Sequence, residues 1–128
     1  MAFGDLKSDV KELIVKASLE SIALRLQEVC DRMRAETQRL KFDDAFGVSE
    51  VPGIAVLASG KSIMWGAWGV QIAVYDRGNS CLVVLTALGD SMATKATLAM
   101  AGKKLLLAQS FSLTGSKKKR DEIVAALR

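Results

Sequence analysis

Histidine is absent from this chain of 128 residues. Its absence excludes Ser-His and Cys-His nucleophile pairs, histidine general bases and histidine metal ligands. Catalysis by paired carboxylates stays formally open, with candidates at Asp43, Asp44, Glu50, Asp76 and Asp90. Asp43 and Asp44 are adjacent, so they would point to opposite sides of an extended segment. We therefore predict no catalytic residue, no metal site and no cofactor, and expect a protein without enzymatic activity.

Cysteine is scarce, and no apolar stretch is long. Cys30 and Cys81 lie in apolar surroundings with no other Cys nearby, which is typical of buried free thiols in a reducing compartment. The longest run without charge covers residues 62–75, which is shorter than the about 18 apolar residues of a membrane-spanning helix. The N-terminus carries Asp5 and Lys7 where a secretory leader would be apolar. These features predict a cytoplasmic protein with no membrane span.

Aromatic residues make up only 5% of the chain, and the glycines do not form a phosphate-binding loop. So few rings argue against a platform that stacks nucleic-acid bases. Gly66 and Gly69 are not followed by a third glycine and a helix start, and Gly115-Ser116-Lys117 lacks the upstream glycine of a P-loop. The sequence therefore does not support nucleotide hydrolysis.

Apolar residues, by contrast, make up half of the chain, which is enough for one domain to bury a core without disulfides or a metal. Charge is uneven along the sequence. Residues 1–50 contain 8 basic and 10 acidic residues, whereas residues 51–128 contain 10 basic and 4 acidic residues. The C-terminal half is thus the basic half, an asymmetry that can indicate an anionic partner but that ordinary soluble domains also show.

The first part of the sequence has the periodicity of one long amphipathic helix. From about residue 9 to about residue 39, apolar side chains recur every three or four positions. These residues are Val15, Leu19, Ile22, Leu26, Val29 and Met33. Ser8 is a suitable N-cap for such a helix, and the broad apolar stripe of its first half predicts packing on a sheet.

From residue 51 the pattern changes to short runs rich in Val and Ile, bounded by Gly and Pro, which is typical of strands. The clearest strands are predicted at 51–58, 67–75 and 80–88, and a weaker one at 41–46. The second and third form a hairpin, because the turn-forming residues 76–79 join them.

Beyond the hairpin the pattern is less clear. Residues 91–102 are open between a short helix and an irregular connection, and a strand is predicted over 103–113. A helix over about 116–127 follows, with Ile123, Val124 and Leu127 on its apolar face.

Together these elements predict one α+β domain over residues 1–128. Its two layers are an antiparallel β-meander of four or five strands at about 41–113, and two helices packed on one face of that sheet. The helices are the long N-terminal one at about 9–39 and the short C-terminal one at about 116–127.

Both tryptophans, Trp65 and Trp68, stand three residues apart, each followed by a glycine. Residues three apart on a regular strand face opposite ways, so one ring can enter the core while the other lies on the far face. Two interpretations are open. Either ring contacts a ligand or a partner, or both are structural and wedge between helix and sheet, which we favour.

The run Lys117-Lys118-Lys119-Arg120 falls at the predicted start of the last helix. Cations there oppose the helix dipole, so local stability does not explain them. The run is a candidate contact for an anion or a partner, with a solubilising surface segment as the more ordinary alternative.

Leu82-Val83-Val84-Leu85 in the second hairpin strand is apolar on both faces. A strand of this kind is covered on both sides, so we expect a helix on one face and a second subunit or an apolar molecule on the other. A homodimer is the partner that this pattern favours.

Three classes of function remain. The first, which we favour, is a small non-enzymatic interaction module that self-associates. The second is binding of nucleic acid or another polyanion through the basic C-terminal segment. The third is binding of a small apolar molecule or lipid between helix and sheet, near Trp65 and Trp68. The sequence identifies neither the ligand nor the cellular process.

Overall fold

The computed structural model describes residues 8–40, 51–89 and 111–128. Within these ranges the chain forms a strand, a helix, four further strands and a final helix. The elements are β1 (Ser8–Val15), α1 (Leu19–Arg32), β2 (Glu36–Arg39), β3 (Ile54–Ser62), β4 (Gly66–Asp76), β5 (Cys81–Leu88) and α2 (Leu113–Leu127). The strand predicted at 41–46 and the segment predicted at 91–102 lie outside the described residues.

The five strands form one antiparallel sheet in the order β1-β5-β4-β3-β2. Strands β2 to β5 are a meander, and β1 adds to it beside β5, so β1 and β2 are the two edges. The predicted α+β class, with an antiparallel meander and two helices, is therefore confirmed.

The hairpin of β4 and β5 forms at the predicted place. Asp76 is opposite Cys81 at the end of the ladder, and its side-chain Oδ1 accepts a hydrogen bond of 2.9 Å from the backbone N–H of Gly78. Gly78 has a φ of +90°, which glycine adopts without the strain that a Cβ would bring. The sequence of the turn thus sets the register of the two strands.

The predicted helix at about 9–39 is wrong in its extent, because strands replace both of its ends. Residues 8–15 form β1, which pairs with β5 from Ser8–Leu88 to Val15–Cys81, and residues 36–39 form β2. Consecutive Leu13, Ile14 and Val15 satisfy a helical stripe and a strand equally well over so short a segment. Pairing with the apolar strand β5 stabilises the extended conformation, so residues 8–15 form a strand.

The ends of α1 have well-formed caps inside the predicted helix. The hydroxyl of Ser18 accepts from the backbone N–H of Ser21 at 3.2 Å, so Ser18, and not Ser8, is the N-cap. At the other end Arg34 adopts a left-handed φ of 56°. Its N–H donates to Asp31 O, and the N–H of Ala35 donates to Cys30 O, the pattern of a Schellman motif.

The last helix begins earlier than predicted. Ser112 is its N-cap and accepts from the N–H of Gly115 at 3.1 Å, so the helix starts at Leu113 instead of Ser116. The strand predicted over 103–113 does not extend to its end, because Phe111 and Ser112 are not in a strand; residues 103–110 lie outside the described ranges.

The main core lies between the sheet and both helices. Alternate residues of β4 and β5, such as Val70, Ile72 and Leu85, pack against the buried side of α1 and against Ile123 and Leu127 of α2. The two helices also contact each other, because Arg25 in the middle of α1 donates to the carbonyl of Leu127 at the end of α2 at 3.2 Å, a cation at a helix C-terminus. Both helices thus cover the same face of the sheet.

The outer face of the sheet, opposite the helices, has a second apolar cluster. It consists of Leu40, Ala55, Leu57, Leu88 and Phe111. The expectation of an apolar face at Leu82 and Val84 is met only in part, because both are partly exposed while Val83 and Leu85 on the helix face are fully buried.

Candidate functional site

The two features that the sequence singled out meet in the structure. The turn between β3 and β4 is held by the hydroxyl of Ser62, which accepts from the backbone N–H groups of Met64 and Trp65 at 3.2 and 3.3 Å. Trp65 then lies against α2, with Lys118 Nζ 5.9 Å from the centroid of its ring. Helix α2, which carries the basic run, and the β3–β4 turn, which carries Trp65, are therefore in contact.

The two tryptophans have different environments, but they do not lie on opposite faces of one strand, because Trp65 is in the turn before β4 and both rings lie beside α2. Trp68 is buried in the main core, with Lys119 Nζ 5.9 Å from its ring centroid, whereas Trp65 is partly exposed. Gly115 lets α2 approach Trp65, because a Cβ built on it would lie only 2.7 Å from the Trp65 Cβ. The close packing of α2 against Trp65 therefore explains why a glycine stands inside this helix.

The four cations of the basic run do not share one surface. Arg120 is buried and contacts Asp121 Oδ1 at 3.3 Å, while Lys119 pairs with Glu122 at 3.4 Å. Lys117 and Lys118 are exposed. The helix begins at Leu113, so all four cations lie after its first turn. They therefore avoid the part of the helix where its dipole disfavours cations most. Only Lys117 and Lys118 are thus placed to meet an external anion.

Exposed apolar side chains lie in the turn whose Trp65 ring Lys118 contacts. Ile63 at the tip of the hairpin is fully exposed, and Met64 beside it is 76% exposed. The neighbouring Lys61, at the end of β3, is exposed as well. We define the hairpin-tip surface as Lys61, Ile63, Met64 and Trp65 together with Lys118; Lys117 is two residues after Gly115, which faces Trp65, and so points to another side of the helix. The hairpin-tip surface combines protruding apolar side chains with cations.

A cleft opens at the other side of the molecule, between α1 and the edge formed by β2 and β3. We call it the helix–sheet cleft; its volume is about 870 Å³. Its apolar walls include Leu26, Leu40, Val51, Pro52, Ile54 and Val56. Its polar lining groups are Gln27, Asp31, Thr37 and Arg39. Neither tryptophan lines it.

One of the two thiols also lines the helix–sheet cleft. Cys30 and Cys81 are both free and buried, as predicted. Burial, and then the nearby Asp31 carboxylate, raise the pKa of the Cys30 thiol above its usual range. Cys81 donates to the carbonyl of Ala17 at 3.4 Å. Cys30 is therefore a protonated thiol at neutral pH, and a weak nucleophile.

Of the five carboxylates that the sequence offers as candidates for catalysis, one, Asp76, lies within the described ranges. The Asp76 carboxylate accepts the hydrogen bond from Gly78 within its own turn. The other four, Asp43, Asp44, Glu50 and Asp90, lie outside the described residues. Within residues 8–40, 51–89 and 111–128, no group of three Cys, Asp or Glu side chains is arranged to hold a metal ion. In the same ranges neither helix is long and apolar enough to span a bilayer.

Comparison with known proteins finds little. The sequence matches no protein-family model. A search of curated proteins finds no significant match. Among solved structures the chain is similar to the crystal structure of CalU16 from Micromonospora echinospora, with a TM-score of 0.44 and 11% sequence identity, over 94% of this chain and 88% of that one. A likeness at this level carries no conclusion about function.

The sequence does not predict the helix–sheet cleft, because residues 36–39, which form β2, fall within the helix predicted at about 9–39. Thr37 and Arg39 line the cleft from β2, where the sequence showed only a polar helix end. Ile63 and Met64 were also missed as a surface, although they stand in a turn next to the tryptophans. The available signal was two large apolar side chains directly after Ser62 and before Gly66, where a turn would expose them.

Proposed function

We propose that this protein is a non-enzymatic binding module that holds a small, mainly apolar molecule in the helix–sheet cleft. The observation that carries the proposal is the cleft itself. Its volume of about 870 Å³ lies within the about 300–1,000 Å³ of typical small-molecule sites. Its walls are aliphatic, and a few polar side chains in its lining, such as Gln27 and Arg39, would orient one polar end of a ligand.

The test uses the fluorescence of 1-anilinonaphthalene-8-sulfonate, an apolar probe with one anionic group. Ala23 lines the cleft from the exposed side of α1, so Ala23→Trp fills the cleft without entering the core. We expect this variant to weaken probe binding at least about tenfold, the loss of one apolar contact of about 1.4 kcal/mol. Ala125→Trp is the matched control, because Ala125 is exposed on α2 and does not line the cleft.

A second readout locates the probe. Because Cys30 lines the cleft, bound probe should slow its alkylation by N-ethylmaleimide, followed by mass spectrometry of the Cys30 peptide. Equal probe binding by both tryptophan variants, together with an unchanged Cys30 rate, would remove the cleft as the binding site. The free, buried thiols also support a cytoplasmic setting as part of this proposal.

Self-association is a second candidate, and a specific observation favours it. Strand β1 is an edge of the sheet, and Val10 and Ile14 on its outer face are 56% and 71% exposed. A second copy pairing antiparallel along β1 would continue the sheet and cover these side chains.

Sedimentation equilibrium tests this candidate. We expect a dimer for the unaltered chain and a shift to monomer for Ile14→Lys, because pairing would then have to cover a charged side chain in place of an apolar one. Leu24→Lys is the control, because Leu24 is similarly exposed but lies on α1. A monomer at all concentrations, or equal dissociation of both variants, contradicts pairing through β1.

A further inference from the structure

We infer that the hairpin-tip surface docks on a lipid bilayer that contains anionic headgroups. The inference is independent of the helix–sheet cleft, because none of the residues of the hairpin-tip surface lines that cleft. It depends on three observations: the apolar tip, the cations around it that have no carboxylate partner among the described residues, and the position of Trp65 between the tip and Lys118.

The tip presents apolar side chains that nothing in the described fold covers. Ile63 is fully exposed and Met64 largely so, and the Ser62 hydroxyl holds the turn that carries them through two hydrogen bonds. Side chains of this size favour an apolar environment by about 1.5–3 kcal/mol when fully buried. A protruding turn can reach the headgroup and acyl boundary, where interfacial protein segments bury their apolar faces.

The cations around the tip are not neutralised within the described residues. Lys61 and Lys118 are exposed, and neither has a carboxylate within ion-pair distance in the described ranges. The acids that follow on α2 are already engaged, since Glu122 pairs with Lys119 and Asp121 with Arg120. The surface therefore presents net positive charge, which an anionic leaflet attracts.

Trp65 lies between the apolar tip and Lys118. Its ring is partly exposed, packs beside Gly115 and has Lys118 Nζ next to it. Tryptophan prefers the boundary between acyl chains and headgroups, because its ring is apolar and its indole N–H is polar. The order from tip to helix is thus aliphatic, aromatic and cationic, which matches the order of layers at a bilayer surface.

The same cations could contact nucleic acid, but the tip favours lipid. Ile63 and Met64 offer no hydrogen bond to a base edge and no ring on which a base could stack. Their exposure would oppose a wholly polar partner, whereas the acyl boundary accepts them.

Co-flotation with vesicles tests the inference. The full chain is mixed with vesicles of phosphatidylcholine alone or of phosphatidylcholine with phosphatidylglycerol, at low and at high salt. We expect binding to the anionic vesicles that weakens with salt, and little binding to the neutral ones. The fluorescence of Trp65 should be quenched by brominated acyl chains, and Trp65→Phe should remove that quenching.

Variants separate the two contributions. Lys61→Gln and Lys118→Gln should each lower the partition coefficient about fivefold, the equivalent of about 1 kcal/mol per lysine at an anionic surface. Replacing Ile63 and Met64 together by Ser should lower it at least about tenfold. All four side chains are exposed, so the variants should fold, which circular dichroism checks.

Matched controls come from exposed residues elsewhere. Lys16→Gln removes a cation next to Val15, which pairs with Cys81 at the far end of the sheet, and Leu24→Ser removes an exposed apolar side chain from α1. Both should bind vesicles as the unaltered chain does. Equal binding to neutral vesicles, or no loss on replacing Ile63 and Met64, overturns the inference. Retardation of duplex DNA without vesicle binding would also overturn it, and would indicate a polyanion site instead.

Discussion

At the scale of single residues, Ser116 joins the last helix to the sheet. Its buried hydroxyl accepts a hydrogen bond of 3.0 Å from the backbone N–H of Gly69. The ladder between β4 and β5 begins only at Val70 and Ala87, so β5 offers Gly69 no partner. The hydroxyl of Ser116 therefore takes the place of a missing strand carbonyl.

Ser116→Ala should lower the free energy of unfolding by about 1–3 kcal/mol, the cost of leaving a buried N–H without a partner. This loss should exceed the small gain in helix propensity that alanine brings. Urea unfolding followed by circular dichroism measures it. The control is Thr114→Ala, an exposed position in the same turn, which should change stability by less than about 0.5 kcal/mol. Equal values for the two variants would contradict the role of the hydroxyl.

Arg34 is a second residue whose backbone is unusual. It has a left-handed φ of 56° after the end of α1, a conformation that costs a residue with a Cβ about 1–2 kcal/mol. Arg34→Gly should therefore raise the free energy of unfolding, by up to about 1 kcal/mol after the extra entropy of glycine in the unfolded chain. Thermal unfolding compares it with Arg32→Gly, inside the helix, which should be destabilising. Destabilisation by both would show that the Arg34 side chain matters more than its backbone.

At the scale of elements, the contact of α2 with the β3–β4 turn depends on Gly115. In an ordinary helix Gly→Ala adds up to about 1 kcal/mol of stability. Here the new Cβ would lie 2.7 Å from the Trp65 Cβ, an atom fixed close to the backbone, so the helix or the turn must move. Gly115→Ala should thus destabilise the protein by about 1–3 kcal/mol and change the fluorescence of Trp65.

Ala125→Gly is the reverse substitution in the same helix, where Ala125 is exposed. It should cost up to about 1 kcal/mol through propensity alone and leave Trp65 fluorescence unchanged. Denaturant unfolding with tryptophan emission measures both variants. A stabilised Gly115→Ala protein would mean that α2 does not pack as closely on the turn as the structure indicates.

The elements that sequence reasoning found correctly are those with local causes. The hairpin of β4 and β5 follows from alternation in Val70, Ile72 and Val74 and from turn chemistry around Gly78. Strand β1 has no such local cause, because its partners lie in β5, far along the chain, and its apolar residues fit a helical stripe as well. Long-range pairing overrode the local periodicity there.

At the scale of the whole molecule, the candidate sites were only partly predictable. The segment with the two tryptophans and the basic run at 117–120 are each recognisable from the sequence. Only the fold, however, brings Lys118 beside Trp65. It also divides the run, since Arg120 is buried while Lys117 is exposed. The helix–sheet cleft depends on the place of β2 in the sheet, and therefore on a pairing with β3 that periodicity does not encode.

The two buried thiols make the stability of the whole molecule depend on pH. Burial raises the pKa of Cys30, with a further contribution from Asp31, and burial followed by Asp76 raises the pKa of Cys81. In the unfolded chain both thiols titrate near their ordinary pKa of about 8.5. Between that pH and the raised pKa values, the unfolded chain binds fewer protons than the folded chain, so stability falls as pH rises.

Urea unfolding at a series of pH values from neutral to alkaline should therefore show a decreasing free energy of unfolding above about pH 8.5. Replacing both Cys30 and Cys81 by Ala removes the two groups, so the slope against pH should become shallower, whatever the stability of the variant at neutral pH. The two proteins are otherwise identical, so the difference between their slopes reports the two thiols. Parallel curves would mean that the thiols ionise as easily in the folded protein as in the unfolded chain, against their burial between sheet and helices.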